Sequence, residues 1–212
     1  MSTSGSLPKP ATQLDKAGCA LGVLLGVLSL YMSYAGPVVH SSSLPVTFYD
    51  NLLWLLLVYL VPVWTLVMAA YFLKFRGSSN KSLGLVAGVV GLLSAVFGFF
   101  VAILVFPLRQ PFSGYPGYEG WYAWLATWFN ATLISGLAIL LFGIVYLKVS
   151  FSSGKRNPFG ALAGLFYVVI GVFGILIGLG PATAAMVFFN NFTFIPWMYG
   201  IVLVPSLLGL KS

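Results

Sequence analysis

Side chains that could do chemistry are few and scattered in this sequence. Its 212 residues include three acidic residues, one histidine and one cysteine. These are Asp15, Asp50, Glu119, His40 and Cys19. Acid–base catalysis needs such groups within reach of one substrate, and a zinc or haem site needs several nitrogen or sulfur ligands. We therefore predict no catalytic residue, no metal ligand and no cofactor, and a chain that is not itself an enzyme.

A weaker interpretation concerns polar residues near the ends of the predicted helices. Asp50, Asn51, Asn130 and Trp54 could line a small outward-facing cavity that holds a quinone or a lipid head group. A quinone- or lipid-binding enzyme would also need His40 beside an acid. The simpler interpretation is that the amides form hydrogen bonds between helices, worth about 0.6–2 kcal/mol each.

The amino-acid composition indicates the environment in which the secondary-structure elements that carry these residues lie. Only 6% of the residues are charged, 60% are hydrophobic, and the mean hydropathy is +1.02. A soluble domain carries roughly 25% charged residues, so this chain has too few to cover a surface that faces water. The solvent of most of the chain is therefore predicted to be lipid.

The apolar segments predict an all-α integral membrane protein. About 20 mainly apolar residues form a helix that crosses the hydrocarbon core. Six segments meet this description, near 17–35, 51–73, 83–106, 121–147, 159–179 and 194–210. Pro196 and Pro205 weaken the prediction that the last segment is a span, so a bundle of five transmembrane helices is the alternative to six. A polar N-terminal tail, 1–16, and a short C-terminus, 211–212, complete the predicted organisation.

The basic residues predict the orientation. Lys and Arg close to a span are retained on the cytoplasmic side. With six spans, nine of the ten basic residues fall on one side, and Arg109 is the exception. The chain is therefore predicted to be a multi-pass protein of the cell (plasma) membrane with both termini in the cytoplasm. This distribution also explains the net charge of +7 without a nucleic-acid partner.

A helical hairpin recurs in the sequence about every 70 to 75 residues. The odd spans begin with paired small residues and end in proline, and the even spans carry a tryptophan near the outer end. The pattern indicates two or three repeated hairpins, although glycine and proline also recur by chance in membrane helices. Small residues let helix backbones approach closely in lipid. The predicted helix-packing residues are Gly22, Gly26, Gly84, Gly88, Gly91, Gly160, Gly164, Gly174 and Gly178.

These observations favour a structural function. The sequence predicts a non-catalytic accessory subunit that contacts membrane lipids and packs against other membrane subunits, with a respiratory or other redox assembly as a reasonable host. A small channel or carrier for neutral solutes is the alternative, because the predicted spans hold no ionisable residue that could serve an ion path. A quinone- or lipid-binding membrane protein is the third interpretation.

Overall fold

The structure is a computed structural model that describes residues 13–41, 48–74, 81–100, 131–152, 157–179 and 194–211. Side chains are described for 13–28, 30–31, 59–74, 81–100, 133–151, 157–176 and 202–210. The described residues form six α-helices. They are α1 (Gln13–Ser41), α2 (Phe48–Leu73), α3 (Lys81–Phe100), α4 (Ala131–Ser152), α5 (Pro158–Leu179) and α6 (Phe194–Lys211).

Three of these helices are long and apolar enough to cross a membrane. They comprise Lys81–Phe100 in α3, Leu133–Phe151 in α4 and Pro158–Leu176 in α5. Tyr59–Leu73 in α2 is a shorter apolar helix. The all-helical class is therefore confirmed for the described residues, whereas the six-span bundle stays a prediction.

Local sequence explains where α5 begins. Asn157 precedes the helix, and its side-chain Oδ1 accepts a hydrogen bond from the Gly160 backbone N–H at 3.0 Å. Such a cap satisfies one of the amide groups that the first helical turn leaves without a partner. Pro158 follows at the first helical position, where its missing N–H costs nothing. The Gly160 amide is thereby hydrogen-bonded at the start of α5.

Internal prolines do not interrupt the helices. Pro62 lies inside α2 and Pro205 inside α6, and α1 continues through Pro37 to Ser41. A proline removes one backbone hydrogen bond, which neighbouring helices can compensate in a membrane bundle. Pro205 weakened the prediction of a sixth span; the structure gives an α-helix of eighteen residues around it, and the sixth span itself stays a prediction.

The six helices close into a ring. Each helix packs against the next one in the chain, and α6 packs against α1. The three most extensive interfaces are α4 with α5, α1 with α6, and α2 with α3. We call the end of the ring at which α1, α3 and α5 begin the basal end. Four exposed lysines lie there: Lys16, Lys74, Lys81 and Lys148.

Equivalent contacts recur in the α2–α3 and α4–α5 hairpins. A Cβ on Gly88 would lie 2.9 Å from the Leu73 backbone nitrogen, and a Cβ on Gly164 would lie 2.9 Å from that of Leu147. Gly98 likewise lies close to Pro62 in the first hairpin, and Gly174 lies close to Gly136 in the second. Each glycine of the second hairpin follows its counterpart in the first by 76 residues, and each partner follows its counterpart by 74 residues. Both hairpins therefore pack with the same register.

Substitutions at these matched glycines test the close approach. We expect Gly88→Ala and Gly164→Ala each to lower the free energy of unfolding by about 1–3 kcal/mol, because the new methyl group would overlap the partner backbone. Thermal unfolding of the purified protein in detergent measures the loss. The matched controls are Val89→Ala and Leu165→Ala, whose side chains are 44% and 52% exposed. Equal stability of glycine and control variants would contradict the prediction.

Candidate functional site

The residues predicted to line an outward-facing cavity lie outside the described side chains. Asp50, Asn51 and Trp54 fall in the first two turns of α2, for which the structure gives the helix but no side-chain surroundings. Asn130 lies outside the described residues, directly before α4. The predicted quinone or lipid cavity therefore stays a prediction.

The predicted packing glycines lie mostly at helix interfaces. A Cβ on Gly26 would meet Leu203 of α6, and one on Gly91 would lie 2.7 Å from the Phe142 ring of α4. Gly22 faces Ser206, Gly88 faces Leu73, and Gly164 faces Leu147. The remaining positions are Gly84, which is buried, Gly160 beside Ser150, Gly174 beside Gly136, and Gly178, whose surroundings lie outside the described side chains.

A buried carboxyl group lies at the basal end of the ring. Asp15 is in the first turn of α1 and is 6% exposed. Its Oδ1 accepts a hydrogen bond of 2.9 Å from the Tyr146 hydroxyl of α4. The Cys19 thiol, one turn further along α1, lies 4.0 Å from the same oxygen and is a weak donor. The first turn of α1 is thereby fixed against a helix 131 residues away.

Asp15 belongs to a group of polar residues that we call the basal polar cluster. It comprises Asp15 and Cys19 of α1, Tyr71 of α2, Tyr146 of α4 and Tyr167 of α5, whose polar ends lie near one another. The rings of Tyr146 and Tyr167 have centroids 5.9 Å apart. Four helices therefore contribute to one polar region inside the ring.

Aromatic rings fill the space beside this cluster. Phe72 and Phe142 stack with centroids 4.7 Å apart, and Phe72 meets Tyr146 edge-on at 5.9 Å. Trp64 contacts Phe142 edge-on at 6.4 Å and Tyr167 at 6.1 Å. Aromatic pairs in such geometries contribute about 0.5–1.5 kcal/mol beyond the area they bury. The rings therefore tie α2, α4 and α5 together around the cluster.

Burial governs the charge state of Asp15. Burial raises the pKa of its carboxyl group above the usual 3.8, and the hydrogen bond from Tyr146 lowers it by less. Removing a carboxylate from water disfavours the charged form, whereas a donor directed at an oxygen favours it. Asp15 therefore holds its proton to a higher pH than an exposed aspartate. This arrangement can store a proton or tie two helices together.

Sequence reasoning missed this cluster. It placed Asp15 in the polar tail 1–16 and gave Cys19 no role, because the tyrosines near them come from helices that are distant in the sequence. One signal was present, because Asp15 and Cys19 are four residues apart and share a helix face. Among the described residues, no group of three or more His, Cys, Asp or Glu side chains could hold a metal ion.

Comparisons with known proteins identify no relative. No family model, no curated protein and no solved structure matches this chain.

Removing the Tyr146 hydroxyl tests its bond to Asp15. We expect Tyr146→Phe to destabilise the protein by about 1–3 kcal/mol, because it leaves a buried acceptor with one partner fewer. In an Asp15→Ala background the same change is expected to cost much less, so the two substitutions are coupled. Equilibrium unfolding of the four variants measures the coupling. Tyr31→Phe is the control, since Tyr31 is 57% exposed, and additive losses would contradict the prediction.

The raised pKa of Asp15 also predicts a pH dependence. Above pH 3.8 the folded protein retains a proton that the unfolded chain releases, so this residue's contribution to stability falls as pH rises through its folded pKa. Asp15→Asn keeps the oxygen acceptor and removes the charge. We expect its melting temperature to exceed that of the wild type at pH 7, and the difference to shrink towards pH 4. A difference that grows as pH falls would show that the folded protein favours the carboxylate.

Proposed function

We propose that the chain is a non-catalytic, multi-pass membrane subunit, a structural or accessory component of a larger membrane protein complex. A respiratory or other redox assembly is the proposed host. In this proposal each of the six helices contains one of the six predicted spans, and both termini lie in the cytoplasm. The observation that carries the proposal is a ring whose described interior is filled with side chains and whose outer faces are apolar.

The filled interior draws on every helix. Its buried hydrophobic residues form one continuous cluster. The members are Leu25, Trp64, Met68, Phe72, Ala87, Ala138, Phe142, Val145, Tyr167, Ile170 and Val202. Phe72 and Phe142, both members of this cluster, stack with centroids 4.7 Å apart. This packing supports a structural function over the alternative of a small channel or carrier for neutral solutes.

The outer faces are apolar on all six helices. Large hydrophobic side chains are exposed there, among them Val27, Leu66, Val96, Ile144, Leu176 and Leu207. Such faces suit lipid tails and the packed interfaces of membrane subunits equally, because helix association in lipid depends on shape and small residues rather than on hydrophobicity. The proposal assigns part of this surface to partner subunits.

The proposed orientation is supported by the lysines at the basal end. Lys16, Lys74, Lys81 and Lys148 are exposed at the end of the ring from which α1 starts. Basic residues that flank spans are retained on the cytoplasmic side. The basal end is therefore proposed to face the cytoplasm, and Asp15 lies just inside it.

Isolation of the native protein tests the proposed function. We expect extraction in a mild detergent, followed by size-exclusion chromatography and quantitative mass spectrometry, to yield a fixed ratio of larger membrane subunits to this chain. Stable migration as a monomer or homo-oligomer would contradict the proposal. Flux of a neutral solute through the purified chain in liposomes would then test the channel alternative.

Substitutions on two outer faces provide matched controls for that experiment. One variant replaces Leu85, Val89, Leu92 and Val96 of α3 by alanine, and the other replaces Leu165, Val169, Val172 and Leu176 of α5. We expect one face to bind the partner, so one variant should lose the partner while both keep the wild-type melting profile. If both variants retain the partner subunit as the wild type does, the interface lies on another helix.

A further inference from the structure

The exposed lysines of the basal end fall into pairs. The three less extensive interfaces of the ring are α1–α2, α3–α4 and α5–α6, and we call them the minor interfaces. Lys16 of α1 and Lys74, directly after α2, lie at the basal end of the first. Lys81 of α3 and Lys148 of α4 lie at the basal end of the second. Two of the minor interfaces thus carry one exposed lysine on each helix.

Helix contacts show that the two lysines of a pair lie at a similar depth. A Cβ on Gly18 would lie 2.6 Å from Met68 Sδ across α1–α2, and one on Gly91 would lie 2.7 Å from the Phe142 ring across α3–α4. Counted from these contacts at 1.5 Å per residue, the lysines of each pair are within about 6 Å of one level along the helix axes. Because lysine carries its charge on a flexible four-carbon stem, both ammonium groups can reach the same anion.

The described surface around these pairs carries no negative charge to balance them. Among the described side chains the only acidic residue is Asp15, which is 6% exposed. Lysine side chains are positively charged at neutral pH. Each pair therefore presents two exposed positive charges, which is complementary to a ligand with a negative group.

The side chains next to the lysines are apolar. Leu85 lies one helical turn from Lys81 and is 53% exposed, and Ile144 lies one turn from Lys148 and is 37% exposed. A free anion would leave these side chains uncovered, whereas a phospholipid brings a phosphate to the lysines and acyl chains to the apolar faces. Basic positions between membrane helices bind anionic head groups in this way.

We propose that the α1–α2 and α3–α4 minor interfaces each bind one anionic phospholipid, with its phosphate between the paired lysines and its acyl chains along the outer faces of the two helices. This goes beyond a general attraction of lysines to a membrane surface, because it assigns one lipid to each pair. The inference rests on the part of the proposed function that places the helices in a bilayer, and it is independent of partner subunits.

Lipid binding by the purified full-length chain tests the proposal. The chain in neutral detergent is mixed with equal amounts of phosphatidylglycerol and phosphatidylcholine that have identical acyl chains, and native mass spectrometry counts the bound lipids. We expect two bound phosphatidylglycerol molecules and a preference of about tenfold or more over phosphatidylcholine. Inorganic phosphate in large excess should displace neither. Equal binding of the two lipids, or displacement by phosphate, would overturn the proposal and leave the accessory function untouched.

Substitution of each pair tests the assignment of one lipid to each interface. We expect the double variants Lys16→Gln with Lys74→Gln, and Lys81→Gln with Lys148→Gln, each to lose one phosphatidylglycerol and keep the other. The same positions changed to arginine preserve the charge and should keep both lipids. A glutamine variant that keeps both lipids, or an arginine variant that loses as much as its glutamine counterpart, would contradict the proposal. Thermal unfolding in the same detergent confirms that the compared variants are folded.

Discussion

The close approach of helix backbones is the constraint on which the rest of this structure depends. Lipid tails are as apolar as leucine, so the burial of apolar side chains gives little drive for helices to associate. Here the helices are held together by close contact between their backbones, since Gly164 contacts the backbone of Leu147 and Gly26 contacts the backbone of Leu203. Because a methyl group at either position would collide with the partner chain, the interfaces have no room for a larger residue.

These contacts determine what the interior can hold. Because the helices approach so closely, the interior of the bundle is filled by flat aromatic side chains such as Phe72 and Phe142, which stack on each other. Polar side chains in this interior must therefore form hydrogen bonds with one another. Asp15 and Tyr146 do so across two helices. This buried hydrogen bond restricts how α1 and α4 can rotate, because a rotation that separated the two side chains would bury the carboxyl group without its donor.

The sequence predicted those features that depend on local composition. The all-helical class of the described residues followed from apolar length. The cluster around Asp15 was missed, because its polar neighbours come from α2, α4 and α5 and only ring closure brings them together. Polarity alone placed Asp15 outside the helices, whereas α1 starts at Gln13 and buries it.

Ring closure by the two terminal helices has a consequence for biogenesis. The start of α6 follows the end of α1 by 153 residues, and ribosomes add about 5–20 residues per second. α1 therefore leaves the ribosome roughly ten seconds or more before α6, its most extensive partner, has been synthesised. During that interval the face of α1 that carries Gly22 and Gly26 lacks the α6 side chains that cover it in the folded chain. The ring can thus close only once α6 has been made, well after α1 has formed its contacts with α2.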